Sequence, residues 1–213
     1  MSGTSPVVVL ASASPARLAL LRQSGIEPVV RVSGVDEDGL ADALAASGRT
    51  APAELCAALA DAKAHAVGDA VRDELPGAIV IGCDSVLDLD GVAWGKPHDA
   101  AEAVRRWHGM RGRTGVLRTG HTLIALSTDG ASDASAVAST TVHFADVDDE
   151  TVAAYVATGE PLHVAGAFTL DALGGAFVDR IDGDPANVVG LSLPLVRRLV
   201  EELGIRWTDL WVR

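Results

Sequence analysis

The sequence predicts a mixed α/β fold, and three observations carry that prediction. Short continuous apolar runs rich in Val and Ile alternate with longer Ala- and Leu-rich segments of helical spacing. Gly, Pro, Ser and Asp fall at the junctions, where turns and helix caps use them. At 213 residues and 48% hydrophobic content the chain can bury a large core, and with aromatics at only 4% that core is expected to be Val, Leu, Ala and Ile rather than rings. No internal repeat or disordered linker interrupts it, so residues 1–213 read as one domain, with room for two tightly joined lobes.

VVVLAS (7–12) reads as a buried strand ending in small polar residues. SPARLALLRQSG follows as a helix, with Ser14 as N-cap, Pro15 in the first turn and Gly25 as the stop. PVVRVS (28–33) is a second strand opening into an acidic loop, Val35-Asp36-Glu37-Asp38, and residues 51–71 have helical spacing that sets Lys63 about three turns in. In AIVIGCDSVLDLDGVAWGKP (78–97) an apolar strand stops at Cys83-Asp84-Ser85. A second short alternation, VLDL, then meets the Asp90-Gly91 turn signal and VAW pairs back as a hairpin.

Asp99 and Glu102 make a capping-box-like start to a helix running to about Met110. RGRTGVLRTG reads as a basic, Gly-punctuated turn into the strand HTLIALS, and DGASDAS (129–135) as a hairpin tip. ASTTVHFADV is a strand, and DDETVAAYVATGE a helix with an Asp pair at its N-terminus. PLHVAGAFTLDALGG (161–175) reads as the loop-rich wall of a cleft. AFVDRI is a strand, IDGDPANVVGLSLP a long turn, and LPLVRRLVEELG an amphipathic helix ending at Gly204.

The formal net charge of −12 argues against a surface for duplex nucleic acid, so any anionic ligand must be held locally by a few placed cations, helix N-termini or a divalent metal. No basic-then-apolar leader and no run of the roughly 18 apolar residues a membrane span needs are evident, which reads as a cytoplasmic protein without a membrane partner. Cys56 and Cys83 occur in unlike contexts and form no metal or disulfide framework.

Only two of the seventeen Lys and Arg residues are lysines, Lys63 and Lys96. In a chain that uses Arg for ordinary surface cations, a retained Lys suits a site wanting a compact ammonium, phosphate chemistry among them; solvated faces would also account for them. Ser12, Ser14 and Arg17 lie at a strand-to-helix junction, which can hold an anion or can simply be a capped helix. Asp84, at the end of an apolar strand, needs a metal, a cation, solvent in a cleft or a bend to cap. Glu37 could add a second hard oxygen ligand for Mg²⁺. No GxxxxGK[ST] or GxGxxG pattern is present.

LASASPARLALL, VDED, LADAKA, VIGCDSV, WGKP, AGAF and DGDPANVVGLSLPL occur in the order and approximate spacing of the Maf-like nucleotide pyrophosphatases. From about residue 8 to residue 204 the chain resembles that family. The resemblance implies an inosine-triphosphatase-like fold, a long twisted mixed sheet whose helices form two lobes around a nucleotide cleft. It implies hydrolysis of nucleoside triphosphates, modified ones included, to the monophosphate and pyrophosphate with Mg²⁺ or Mn²⁺. By the same resemblance Asp84 matches the acidic catalytic position, and Glu37, Lys63, Lys96 and Arg17 match charged cleft positions. A homodimer is compatible with this reading.

Three departures concern the base. Ala16 replaces the first Arg of an SPRR block, Ser85 ends what is elsewhere GADT, and Asp171 stands where a GIQG-type block has Gln. These positions resemble those linked to base choice in the subgroup acting on dTTP and UTP, so the reaction type carries over and that subgroup's substrate does not. An SxG-then-His block is also altered, to Arg111-Gly112-Arg113-Thr114-Gly115. Two other readings compete: a nucleotide-binding regulator of division or septum formation, to which the family has been linked, and a sugar-nucleotide transferring enzyme.

Overall fold

The computed structural model describes residues 5–212. Its centre is a seven-stranded mixed sheet, β1 (Val8–Leu10), β2 (Val29–Val30), β3 (Ile79–Leu89), β4 (Val92–Trp94), β5 (Thr114–Ser127), β6 (Gly130–Phe144) and β7 (Val178–Asp182). The strands lie in the order β2-β1-β3-β5-β6-β7, with β4 paired to β3. β1 is parallel to β2 and β3, whereas β3, β5, β6 and β7 form an antiparallel meander. The helices are α1 (Pro15–Gln23), α2 (Glu37–Ala46), α3 (Pro52–Val71), α4 (Ala100–Met110), α5 (Asp149–Ala157), α6 (Pro185–Val189) and α7 (Leu193–Glu202). No helix among the described residues is long and apolar enough to cross a membrane.

Most elements begin and end where local chemistry requires. Ser14, Asp36, Asp99 and Asp148 each accept a backbone N–H three residues on, at the starts of α1, α2, α4 and α5. At α4 Glu102 also reaches back, accepting His98 N, one residue before the cap, at 2.8 Å. Asp90 and Gly91 both have positive φ, 54° and 81°, the geometry of the tight turn between β3 and β4.

Several expectations are corrected. Asp36-Glu37-Asp38 is not a loop: Asp36 caps α2 and the other two carboxylates occupy its first turn, where exposed N–H groups favour negative charge. Nor does the strand stop at Asp84, because β3 runs unbroken to Leu89. β5 begins at Thr114 instead of His121, and its glycines serve packing: a Cβ at Gly115 would lie 2.9 Å from the Leu87 side chain. The supposed hairpin tip is the start of β6, paired to β5 from Gly130 onward, so the turn itself is only Thr128 and Asp129. The long turn before α7 contains α6, capped by Asp184.

The core divides as two lobes would require. Near β1 one face of the sheet packs Leu10, Ile81 and Leu123 against Leu21 of α1 and Val196 and Leu199 of α7. The opposite face packs Val9, Val80 and Ile124 against Ala64, Val67 and Val71 of α3. At the far ends of β3, β5 and β6, Leu87, Leu117 and Val142 meet α4 and α5. Here the aliphatic expectation fails. Trp107, Phe144, Tyr155, Phe168 and Phe177 gather in this lobe, with Trp107 edge-on to Phe144, Tyr155 and Phe177 at 6.1, 5.5 and 5.8 Å.

Between the lobes the sheet is notched. β1 leaves β3 at the pair Leu10 and Ile81, and β4 joins the same edge only at Leu87. Residues 82–86 therefore have no strand on that side, while β5 covers the other throughout.

Close approach of α3 to the sheet depends on Gly82 and Gly120. A Cβ on Gly82 would overlap the Ala60 carbonyl and lie 2.7 Å from Ala64 N, and one on Gly120 would overlap the Cys56 carbonyl and lie 2.8 Å from Ala57 Cα. Gly82→Ala and Gly120→Ala are each expected to destabilise the protein by about 1–3 kcal/mol or more, as overpacking against rigid backbone does. Urea unfolding measures it, and a neutral outcome at both positions would mean that α3 stands further from the sheet in solution.

Candidate functional site

Asp84 lies at the middle of the notch. Strand alternation turns its side chain to the α3 face, the face of Val80 and Gly82. Helical spacing puts Lys63 on the buried side of α3 with Leu59, Ala60 and Val67. The two are 7% and 8% exposed, and Lys63 Nζ donates to Asp84 Oδ1 at 2.6 Å. Glu37, in the first turn of α2, reaches the same ammonium with Oε1 at 2.8 Å. Burial pushes the Asp84 carboxyl above its usual range, and the positive charges of Lys63 and then Arg17 pull it back.

Arg17 extends across the notch from α1. Its Nε donates to Gly190 O at 2.7 Å, Nη1 to Cys83 O at 2.8 Å and to Ser12 Oγ at 3.0 Å, and Nη2 to Ser85 Oγ at 3.1 Å. Four of its five N–H groups are thus taken by protein acceptors. Ser12 is buried and its Oγ also accepts Ser14 N, while Ser14 caps α1 by accepting Arg17 N. The structure therefore brings Ser12, Ser14, Arg17 and Ser85 into one hydrogen-bonded group, with Lys63, Asp84 and Glu37 in another beside it.

Three expected residues stand apart. Lys96 is exposed in the segment after β4, and among the described residues its side chain has no hydrogen bond or ion pair. The hairpin register pairs Trp94 with Leu87, so the chain leaving β4 heads back along β3 toward Ser85. Gly95, next to Lys96, is fixed through its carbonyl by Arg106 Nη1 at 2.5 Å and Gly166 N at 3.0 Å. Asp171 is exposed on a bend before the 3-10 turn Leu173–Phe177, with no side-chain polar contact among the described residues, and Ala16 is half-buried on α1.

Sequence reasoning missed the layer behind Arg17. Ser85 Oγ and Thr119 Oγ1 are 2.9 Å apart, Thr119 Oγ1 donates to Asn187 O at 3.2 Å, and Asn187 Nδ2 donates to Leu117 O and Thr140 Oγ1, both at 3.1 Å. His121 Nδ1 lies 2.9 Å from Thr119 O and its Nε2 accepts Ser192 N at 2.9 Å. The DPANVVGLS block announced these contacts only as a run of residues too polar for a buried turn without partners.

A divalent cation here would have two carboxylates, Asp84 and Glu37, already converging on one positive centre. Among the described residues no group of three or more His, Cys, Asp or Glu side chains gathers. The donor set fits a hard ion that takes one or two carboxylates and completes its shell with phosphate oxygens and water.

Sheet, notch and site together define an α/β protein with a buried cluster of charged side chains at a break in one edge of its central strand. A model of the Maf-like protein family matches residues 7–203. A nucleoside triphosphate pyrophosphatase of Streptomyces avermitilis is 58% identical over 96% of this chain and 94% of its own length. Proteins of the same name from Salinispora tropica and Rhodococcus opacus are 57% and 54% identical, covering 100% and 95% of this chain and 91% and 95% of theirs. The crystal structure of the nucleoside-triphosphatase, or dITP/XTP pyrophosphatase, of Mycobacterium abscessus is a distant likeness, with TM-score 0.39 and 15% identity over 92% of this chain and 93% of that one. The chain belongs to the Maf-like family.

His121, 1% exposed, is pushed down to about 4 from the usual 6.5, chiefly by burial, so it is neutral in the fold at neutral pH. An unfolded chain would bind a proton there first. The stability from burying neutral His121 is therefore complete above pH 6.5 and is lost as pH falls from 6.5 toward 4, by about 3 kcal/mol at the lower end. Between pH 7 and 4 the wild type should lose about that much more unfolding free energy than His121→Gln. Parallel pH slopes in urea titrations would assign the acid sensitivity to other groups.

Proposed function

We propose that this protein hydrolyses nucleoside triphosphates to the nucleoside monophosphate and pyrophosphate, with Asp84 at the reacting phosphorus. The observation that carries the reading is the buried Lys63–Asp84 pair at the only break in the β1 side of β3 among the described residues. The names of the close relatives support the reaction class. A carboxylate buried for structure alone would be costly to keep charged, whereas one beside a reactant has a use for its raised proton affinity.

In this reading a water oxygen attacks the α-phosphorus, the bond from that phosphorus to the α–β bridging oxygen breaks, and pyrophosphate leaves with the electron pair. Asp84 accepts the proton of the attacking water or holds a divalent cation together with Glu37. Bound Mg²⁺ or Mn²⁺ would supply charge to polarise the α-phosphoryl group. Lys63 spends two of its three N–H donors on Glu37 and Asp84, so a third can turn to a phosphate oxygen. Lys96, unpaired among the described residues, is suited to the departing pyrophosphate. Arg17 keeps one N–H for the ligand and holds Ser12, Ser14 and the N-terminus of α1 toward it.

Asp84→Asn is expected to reduce turnover by roughly 10²–10⁴-fold with the fold retained, the range of an acid–base contribution. EDTA should silence the wild type. Lys63→Ala, Lys96→Ala and Arg17→Ala should each weaken turnover strongly, whereas Arg197→Ala and Arg206→Ala should not. Pyrophosphate release under steady-state conditions measures all of these. Normal rates in folded Asp84→Asn, or equal effects at all five cations, would overturn the assignment.

Base choice is assigned to the segment around Asp171, with Ala16 and Ser85. An ionised Asp171 only accepts hydrogen bonds, which favours a base edge with donors such as the N1–H and 2-amino group of guanine, and Ala16 leaves room for a larger ring. GTP or 7-methyl-GTP should be hydrolysed at least as well as dTTP and UTP, and Asp171→Gln should move the ratio toward pyrimidines. A wild-type preference for dTTP or UTP, read as kcat/KM, would remove Asp171 from base choice.

A further inference from the structure

The segment that carries Asp171 is not left to find its own shape. After α5 the chain turns at Gly159 (φ 78°) into the 3-10 turn Glu160–His163, and the Glu160 carboxylate faces the segment from the start of that turn. Its Oε1 accepts Thr169 Oγ1 at 2.5 Å, Tyr155 Oη at 2.9 Å and Gly174 N at 3.0 Å, and its Oε2 accepts Leu173 N at 3.2 Å. Thr169 N in turn donates to Tyr155 Oη at 3.3 Å. Gly174 fits only because it lacks a Cβ, which would overlap Tyr155 Oη and lie 2.8 Å from Thr169 N.

Residues 169, 173 and 174 are thereby tied to a single carboxylate, and Leu170, Asp171 and Ala172 form the short excursion between the ties. Upstream the chain is fixed independently. Trp107 Nε1 donates to Ala167 O at 2.8 Å, Phe168 packs edge-on against Phe144 at 4.9 Å, and Gly166 N donates to Gly95 O beside Lys96. Downstream, Phe177 is locked against Trp107 and Tyr155. The lobe is packed on both sides without Glu160, so what the carboxylate adds is the conformation of residues 169–174.

We propose that Glu160 is a positioning residue for base recognition: by clamping Thr169, Leu173 and Gly174 it sets the excursion that presents Asp171 to the nucleotide, and with it the enzyme's selectivity among bases. This rests on the reading of the Asp171 segment as base-facing. Burial would raise the Glu160 carboxyl, but the hydrogen bonds from Thr169, Gly174, Tyr155 and Leu173 outweigh it and hold the group below its usual range, so the clamp stays charged at neutral pH. A preorganised loop spares the ligand the ordering of several backbone torsions, and its loss is felt in binding before chemistry.

The test is Glu160→Gln, which keeps the shape and replaces one acceptor oxygen by an amide NH₂, so that either Leu173 N or the Oε1 donors lose their acceptor, and the charge is removed from all of them. Steady-state kinetics with GTP, CTP, UTP and dTTP are expected to show KM raised about tenfold for the preferred base, roughly one charge-assisted hydrogen bond, with kcat within about threefold and the spread of kcat/KM among bases reduced at least about fivefold. Tyr155→Phe, which removes one donor and leaves the charge, should move the same quantities in the same direction by less. It serves as the second variant if Glu160→Gln does not fold. A lowered melting temperature with KM and base ratios unchanged would overturn the proposal and leave Glu160 a structural residue.

Two further arms separate this proposal from what it rests on. If Asp171→Ala leaves the base ratios intact while Glu160→Gln flattens them, Asp171 loses its role and the clamp stands. If the wild type hydrolyses none of these nucleotides, amide hydrogen exchange decides the clamp alone: Leu173 and Gly174 should exchange at least about tenfold faster in Glu160→Gln. Unchanged protection there overturns it.

Discussion

A buried lysine and a buried aspartate whose ammonium and carboxylate lie 2.6 Å apart constrain nearly everything around them. Desolvating either ion alone would cost several kcal/mol, so each is tolerable only while the other is in place. Lys63 reaches Asp84 because α3 lies directly on β3 and β5, and α3 can lie there because Gly82 and Gly120 present bare backbone to the Ala60 and Cys56 carbonyls. The glycines and the ion pair are therefore one device. Without the close approach the ammonium would stop short of the strand, and without the pair the tight contact would bury a charge at the centre of the molecule.

The same geometry explains why the notch lies where it does. β3 must continue past Asp84 to serve the second lobe, yet β1 ends after Leu10 and β4 joins β3 only from Leu87 onward, so the strand crosses from one core to the next with one edge uncovered. Arg17 meets part of that edge by donating to the Cys83 carbonyl, and the Ser85–Thr119–Asn187 chain carries the support through the sheet to β6. Aliphatic packing stiffens the β1 side and interlocking rings the other, and both lobes share the strands β3, β5 and β6.

The sequence was most legible where one residue decides a local outcome. Ser14, Asp99 and Asp148 caps, the Asp90-Gly91 turn and the Lys63 face of α3 follow from spacing and side-chain chemistry. It was least legible where glycine and polar residues have a tertiary purpose. Gly115 and Gly120 look like turn signals but lie inside β5, because what excludes a side chain there is Leu87 or α3, elements distant in sequence. The polar stretch from Gly130 looks like a loop but is strand, held by its pairing to β5. Asp36-Glu37-Asp38 looked like solvated charge, although Asp36 ahead of two acids is also a helix start. Individual site residues could be named from their blocks. The sharing of one ammonium by Asp84 and Glu37, and the engagement of four Arg17 N–H groups by protein acceptors, depend on distances no spacing encodes.

Charge at the notch bears on what it can hold. Asp84 and Glu37 are negative, Lys63 and Arg17 positive, and the two hydrogen-bonded groups they belong to lie side by side, so the inner site is close to neutral before any ligand arrives. The chain as a whole carries −12 and offers a polyphosphate no general attraction. A triphosphate would therefore meet its compensation in few places: the unpaired ammonium of Lys96, the N-terminus of α1, the spare donors of Lys63 and Arg17, and any divalent cation that Asp84 and Glu37 accept. Such a cation would turn the two carboxylates from a repulsive feature into ligands and free the Lys63 ammonium toward the phosphates. The inner carboxylates would thus give a divalent cation a place that the near-neutral charge of the site alone would not.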